Sequence, residues 1–336
     1  QGILIFDLSA AYDLLDRETF LVKAKSYGII GKALNWLESY LSNRRQLVQV
    51  NNSQSSPKNL DYGTPQGSSC SCLIFALYVG DIGKYVKNVQ AFADDTFITV
   101  EADSIEELRE QMKIEGEKVL SYFSNIKMVT NPSKTGMVVI HPVAARGPDQ
   151  AKVKIQLGGE EIEEIDNARL LGITITNDLK WKSHTRKLVS ELNYSMSVLW
   201  RLKRLMGKRE LKMIAHGLVM SRIRYCISVY GVESLRLEND QPLSGLQDEV
   251  QKMQNNMLRI ITGHKRSEHV KIVDMLMCTG LLSVNQLTAY ECVMEMWKAT
   301  YSKALHMLLR MVHRWHSSLP RACPIVVFVH LFDLVQ

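Results

Sequence analysis

Two carboxylates stand back to back at Asp94-Asp95, between the β-forming runs Val89–Ala93 and Thr96–Val100. Two such runs around so short a polar step predict an antiparallel hairpin with both acids at its tip. A third acid, Asp7, follows the apolar run Ile3-Leu4-Ile5-Phe6 far upstream. An Asp ending one strand beside an Asp pair at a neighbouring hairpin tip makes a three-carboxylate cluster. A cluster of that charge calls for hard divalent cations with oxygen preference, Mg²⁺ first and Mn²⁺ as a substitute. Two such ions can clamp the attacking and leaving oxygens of an in-line phosphoryl displacement.

The remaining pattern mixes short strands and helices. Gly2–Leu8 reads as a buried strand, Arg17–Tyr27 and Gly31–Leu41 as helices, and Gln46–Val50 as a short strand before a polar loop, Asn51–Asn59. Gly63–Gly67 is turn-rich, and Ser68 or Ser69 caps a helix running to Val79. Ser104–Asn125 is an amphipathic helix with Ser104 as its cap and Glu107 as capping partner. Met137–His141, Val153–Leu157, Glu161–Ile165 and Leu171–Thr176 read as strands, and 141–149 as a loop. The order predicts an α+β fold with helices on one face of an antiparallel sheet.

Beyond residue 177 the pattern becomes helical and basic. Twelve Lys or Arg face three acids between Asp178 and Arg224, a net +9 against +6 for the whole 336-residue chain. Leu188, Leu192, Met196, Leu199 and Met206 share a helical face. A second helical stretch spans about Gln247 to Tyr301. The tail, Ser302–Gln336, holds one acid and four histidines and joins no upstream pattern. It is expected to be a disordered, frameshifted or unrelated segment.

The six cysteines form no CxxC pair, so a zinc ribbon is not expected, and their spacing is not that of a disulfide framework. An intracellular setting is expected, with no membrane-spanning helix, since no apolar run reaches about 20 residues. The chain begins at Gln1 within a strand-like run and reads as a fragment.

The ordered phrases Phe6-Asp7-Leu8-Ser9-Ala10-Ala11-Tyr12-Asp13, Gly63-Thr64-Pro65-Gln66-Gly67-Ser68, Phe92-Ala93-Asp94-Asp95, Asn131-Pro132-Ser133-Lys134-Thr135 and Leu170-Leu171-Gly172-Ile173 resemble the reverse transcriptase of a non-LTR retrotransposon. Tyr40-Leu41-Ser42-Asn43-Arg44 and Trp181 with His184 match as well. The resemblance covers about residues 1 to 300. It implies a polymerase palm over 1–176 with the preceding fingers absent, a basic helical thumb over 177–235, and a C-terminal helical region over 236–301.

The resemblance also implies roles. Asp7, Asp94 and Asp95, with the backbone carbonyl of Leu8, would hold two metal ions. Tyr12 would lie beneath the incoming sugar and select dNTPs. Gln66 and Gly67 would sit near the nascent pair, and Lys134 near the departing pyrophosphate, as a cation or general acid. Leu170, Leu171 and Gly172 would grip the primer end. Lys180, Lys182, Arg186, Lys187, Arg201, Lys203 and Arg204 would follow the phosphates of an RNA template and DNA primer. Nuclear action is implied by family analogy alone.

Plainer readings stand beside these. An Asp pair is common in hairpin turns. Tyr12 could be an ordinary packing residue, Lys134 a solvated one, Leu170–Gly172 core strand, and the basic helices a solvated face. The helix after Gly67 carries Cys70-Ser71-Cys72 where the family has a Leu-Gly-Pro-like step. An RNA-directed DNA polymerase is expected, and the competing expectation is a nucleic-acid-binding remnant without turnover.

Overall fold

The computed structural model describes residues 1–131, 134–140, 152–232 and 245–301. Pro132, Ser133, the expected loop over 141–149 and the tail 302–336 lie outside the described residues. The chain forms two compact units, Gln1–Leu171 with Thr176–Leu179, and Gly172–Ile175 with the described residues from Lys180 onward.

The first unit is organised by a four-stranded antiparallel sheet. In chain order its elements are β1 (Gly2–Phe6), α1 (Arg17–Ser26), α2 (Lys32–Leu41), the two-residue strands β2 (Arg45–Gln46), β3 (Gln49–Val50), β4 (Ser53–Gln54) and β5 (Lys58–Asn59), then α3 (Ser69–Val79). There follow β6 (Val89–Phe92), β7 (Asp95–Val100), α4 (Ile105–Asn125), β8 (Gly136–Val139), β9 (Lys154–Leu157), β10 (Glu160–Glu163) and β11 (Asn167–Leu170). The sheet order is β6-β7-β1-β8. Period-2 alternation sends Leu4 and Phe6 of β1 and Ile98 and Val100 of β7 into one core with Phe20, Phe75, Tyr78, Met112 and Phe123 of the helices. Each such side chain stabilises the fold by about 1.5–3 kcal/mol.

Polar anchors fix the helices. Asp16 caps α1, accepting from the Thr19 N–H (2.9 Å) and hydroxyl (2.6 Å), and Lys127 pairs with its other oxygen at 3.0 Å. Lys23 of α1 donates to the Tyr78 carbonyl (2.5 Å), to Asp81 Oδ1 (2.6 Å) and to the Tyr122 hydroxyl (3.0 Å). Tyr122 in turn donates to Asp81 Oδ1 at 2.6 Å. One partly buried cation therefore ties together α1, the end of α3 and α4. Burial lowers the Lys23 pKa, opposed by its bond to Asp81.

Two local expectations are corrected. The polar segment Asn51–Asn59 is not a plain loop. It belongs to an exposed ribbon in which β2 pairs with β5 and β3 with β4. Asn51, at φ +53°, begins the Asn51-Asn52 turn between Val50 and Ser53, a backbone conformation Asn tolerates. The expected strand Leu171–Thr176 is instead the second half of a hairpin, β11 with β12 (Ile173–Thr176). Leu171 (φ +47°) and Gly172 (φ +83°) form its turn. The apolar run Leu170-Leu171 concealed this turn, because leucine is a poor marker of positive φ.

The second unit is helical. It contains α5 (Lys182–Leu202), α6 (Lys208–Ala215), a π-turn (His216–Met220), α7 (Ser221–Arg224), α8 (Ile227–Tyr230), α9 (Gly245–Thr262), α10 (Ile272–Thr279) and α11 (Val284–Tyr301). Leu188, Leu192, Met196 and Leu199 of α5 are buried as the stripe predicts, whereas Met206 lies past the helix end and is exposed. Trp181 and His184 are core residues, His184 tilted on Tyr230 at 4.9 Å. The described residues of the expected thumb from Lys180 on and of the expected C-terminal helical region fall in this one unit, whereas 177–179 of the expected thumb fall in the first unit and 172–175 of the expected palm in the second. Among the described residues no single helix is long and apolar enough to cross a membrane.

Candidate active site

The register of β1 and β7 brings the acids together. Phe6 pairs with Thr96, so Asp7 lies one step further, across from Asp95. Beyond Phe6 the chain turns to the segment before β8. Leu8 bridges Thr130, and the bonds flanking that bridge run from the Ser9 N–H to the Val129 carbonyl and from the Asn131 N–H to the Asp7 carbonyl. Leu8's own carbonyl takes no part in them, which leaves it for another partner.

Asp94 and Ala93 form the two-residue turn between paired Phe92 and Asp95. Ala93 holds φ +54°, a conformation that costs an L-residue about 1–2 kcal/mol. Such stored strain is characteristic of functional sites. Asp95 is therefore a strand residue, and the turn reading accounts for Asp94 alone. The Asp95 pKa is raised by desolvation first, then by the charges of Asp94 and Asp7, against a lowering by Arg169. Asp94 and Asp7 both lie near enough to Asp95 to act on its charge.

Lys134 Nζ sits 3.1 Å from Asp7 Oδ2. Among the described residues no three Asp, Glu, His or Cys side chains close into a ready metal cage. The acids form an open rim in which mutual repulsion is met by one ammonium and one guanidinium. An oxygen-rich rim of this charge suits a hard divalent cation, and such a cation would compete with Lys134 for Asp7.

Tyr12 stacks on Phe75 of α3, ring centroids 4.6 Å apart. Desolvation raises its pKa, with further contributions from the neighbouring Cys72 thiol and from the charge of Asp94. The Cys70-Ser71-Cys72 departure leaves α3 intact, capped by Ser68. It brings a thiol beside Tyr12.

The loop before α3 is docked on the segment after Asp7. The Gly63 N–H donates to the Leu15 carbonyl (2.8 Å) and the Thr64 N–H to the Tyr12 carbonyl (3.0 Å). Gly63 has φ +76°, and a Cβ there would lie 2.7 Å from the Asp13 carbonyl oxygen. Gly67 also has positive φ (+77°), but nothing lies within 4 Å of its Cβ position, so the space beside it is open to an incoming group. Gln66 Nε2 donates to Asp13 Oδ1 at 2.8 Å. Its amide is thus held by the second acid of the Asp7–Asp13 segment.

Sequence reasoning missed several residues. Arg17 donates to the carbonyls of Leu60 (2.5 Å), Tyr62 (2.8 Å) and Gly63 (2.9 Å), pinning that loop. Arg169 was also passed over, and Gly63 and Cys72 were noted only within their motifs, without a role of their own. Only Gly63, in its Gly-x-Pro context, carried a readable signal.

The expected grip residues are a buried Leu170 closing β11 and the Leu171-Gly172 turn. In the second unit, Lys180, Lys182, Arg186, Lys187, Arg201, Lys203 and Arg204 are all exposed. The Arg204 guanidinium lies 5.0 Å over the Trp200 ring.

Residues 1–175 match the family described as reverse transcriptase (RNA-dependent DNA polymerase). The chain belongs to that family, whose members generally use divalent metal ions. A curated relative, a probable RNA-directed DNA polymerase from transposon BS of Drosophila melanogaster, is 23% identical over 282 residues. That alignment takes in 77% of this chain and 28% of the relative, so the chain spans little more than a quarter of that protein. The resemblance to a non-LTR retrotransposon reverse transcriptase is supported by both findings. Among solved structures, apo telomerase from Candida tropicalis aligns with TM-score 0.40 and 13% identity, over 86% of this chain and 46% of that one. Telomerase from Candida albicans in complex with the TWJ fragment of telomeric RNA aligns with TM-score 0.35 and 16% identity, over 84% and 50%.

Proposed function

We propose that this chain is the palm and helical thumb portion of an RNA-directed DNA polymerase of a retrotransposon, adding dNTPs to a primer 3′-hydroxyl on an RNA template. The observation that carries the reading is the β1–β7 register, which sets Asp7 beside Asp95 with Asp94 in the adjoining turn. Two Mg²⁺ ions bound by these carboxylates and the Leu8 carbonyl would neutralise the triphosphate and lower the pKa of the attacking hydroxyl.

The chain's own residues supply positioning. The Tyr12 ring, braced on Phe75, would face the sugar of the incoming nucleotide, where a 2′-hydroxyl collides with it. Gly67 leaves room for the nucleotide, and Arg17 and Asp13 hold the loop that frames it. Lys134, 3.1 Å from Asp7 Oδ2, would leave that carboxylate to neutralise the departing pyrophosphate or give it a proton. The exposed Lys and Arg of the thumb would neutralise template–primer phosphates, with salt-dependent affinity.

Primer extension on an RNA template with Mg²⁺ tests the reading, comparing the chain with Asp94→Asn. Extension by the parent alone is expected, and Tyr12→Val should raise ribonucleotide incorporation. Binding without Mg²⁺-dependent extension would instead identify a non-catalytic remnant.

A further inference from the structure

An aromatic and cationic stripe runs along α2 and the residues just after it. Lys32, Trp36 and Tyr40 follow at intervals of four on α2, the spacing of helical neighbours, and Arg44 comes four residues later, just past the helix end. The Trp36 and Tyr40 rings stack with centroids 5.2 Å apart and planes 14° from parallel. The Arg44 guanidinium lies 4.7 Å over the Tyr40 ring, and its Nε donates to the Tyr40 carbonyl at 2.7 Å. Leu34, Leu37 and Leu41 of the same helix pack toward the core, and Tyr40 flanks them, partly buried against it, while Trp36 is exposed. Trp36 is 53% exposed.

Two neighbouring features give this stripe a direction and a charge. The Tyr40 hydroxyl donates to Ser68 Oγ at 2.6 Å, and Ser68 is the cap of α3 directly after Gly67. The platform is therefore tied to the loop that frames the candidate nucleotide site. From Asn43 to Asn59 the chain carries Arg44, Arg45 and Lys58 and no acid. A flat stacked pair held rigid from below, with cations at both ends and an acid-free arm beside it, is complementary to a polyanion with exposed planar bases. A duplex hides those base faces.

We propose that the Trp36–Tyr40–Arg44 stripe binds single-stranded polynucleotide, stacking a base on Trp36 and seating a phosphate at Arg44. That the strand is the template rests on the polymerase reading; the binding itself does not.

The test uses the full chain in EDTA without nucleotides, so that no polymerisation enters. Fluorescence anisotropy measures binding of a U12 RNA, a dT12 DNA and a 12-base-pair duplex. Trp36→Ala is expected to weaken single-strand binding by about tenfold with little change in salt dependence. Trp36→Phe should retain affinity within about threefold. Arg44→Ala should lower the slope of log affinity against log salt by about one. Ultraviolet cross-linking should map to the peptide containing Trp36 and Tyr40. A stronger effect with U12 than with dT12 assigns the strand as RNA, and the reverse assigns it as DNA. Trp36→Ala binding within twofold of the parent, or duplex binding equally impaired by Trp36→Ala, overturns the proposal. Tyr40→Phe guards against misfolding, because it keeps the ring and removes only the Ser68 anchor. Loss of primer extension with these results intact would count against the polymerase reading alone.

Discussion

Lys134 Nζ and Asp7 Oδ2 lie 3.1 Å apart, although the two residues are separated by most of the first unit's sequence. The lysine is 63% exposed and the aspartate 35%, so the pair is a weak, solvent-screened one. A divalent cation at Asp7 would compete with the ammonium for the carboxylate's charge. Lys134→Gln is therefore expected to tighten Mn²⁺ binding by about threefold, read by electron paramagnetic resonance titration. The same change should slow primer extension by about a hundredfold. Weaker Mn²⁺ binding would show that the lysine supports the carboxylate rather than competing for it.

Asp95 stores an electrostatic cost. Its pKa is raised in the folded chain by desolvation and by Asp94 and Asp7. The folded state thus favours the protonated form, and the penalty appears as pH rises through the raised value. Below the unfolded carboxylate pKa it is absent. Asp95→Asn should therefore raise Tm slightly at pH 7, by about 1 °C given the group's solvent exposure, and leave it unchanged near pH 3. Calorimetry at the two pH values checks this. A lower Tm at pH 7 would mean the carboxylate is net stabilising.

Gly63 and Gly67 separate two uses of one residue type. Both have positive φ, but only Gly63 presses against the backbone of Tyr12 and Asp13. Gly63→Ala should cost about 3 kcal/mol in urea unfolding and displace the loop. Gly67→Ala should cost about 1 kcal/mol, from conformational strain alone. Equal costs would remove the close-approach argument.

The Lys23–Asp81–Tyr122 cluster predicts a non-additive pair. Lys23 and Asp81 side chains are only 13% and 15% exposed. Lys23→Met should destabilise by about 3 kcal/mol, since it leaves Asp81 with Tyr122 as its main partner. Adding Asp81→Leu should recover much of that loss, as measured by a double-mutant cycle. Additive losses would indicate that the lysine acts through packing alone.

Legibility of the sequence followed the kind of signal involved. The Val89–Val100 hairpin, the Ser104-capped helix and the α5 stripe were readable because period and capping chemistry are local. The Leu171-Gly172 turn was not, because its first residue is an unmarked leucine at positive φ. The acids were legible as candidates. Their shared rim became visible only through the β1–β7 register, a pairing across about ninety residues of chain. Arg17 was illegible because its three partners are backbone carbonyls, which no side-chain pattern announces. Cys72 read as a departure from the family phrase, and its neighbourhood with Tyr12 became visible only in the fold.

The ribbon between Arg45 and Asn59 contributes no side chain to the core, and every residue in it is at least partly open to water. Nothing inside the unit depends on its outer turn at Asn51-Asn52. A short peptide epitope or a dye-bearing cysteine inserted there should leave the rest of the molecule undisturbed, giving an observation post a few residues from Arg44 that reports when a strand arrives.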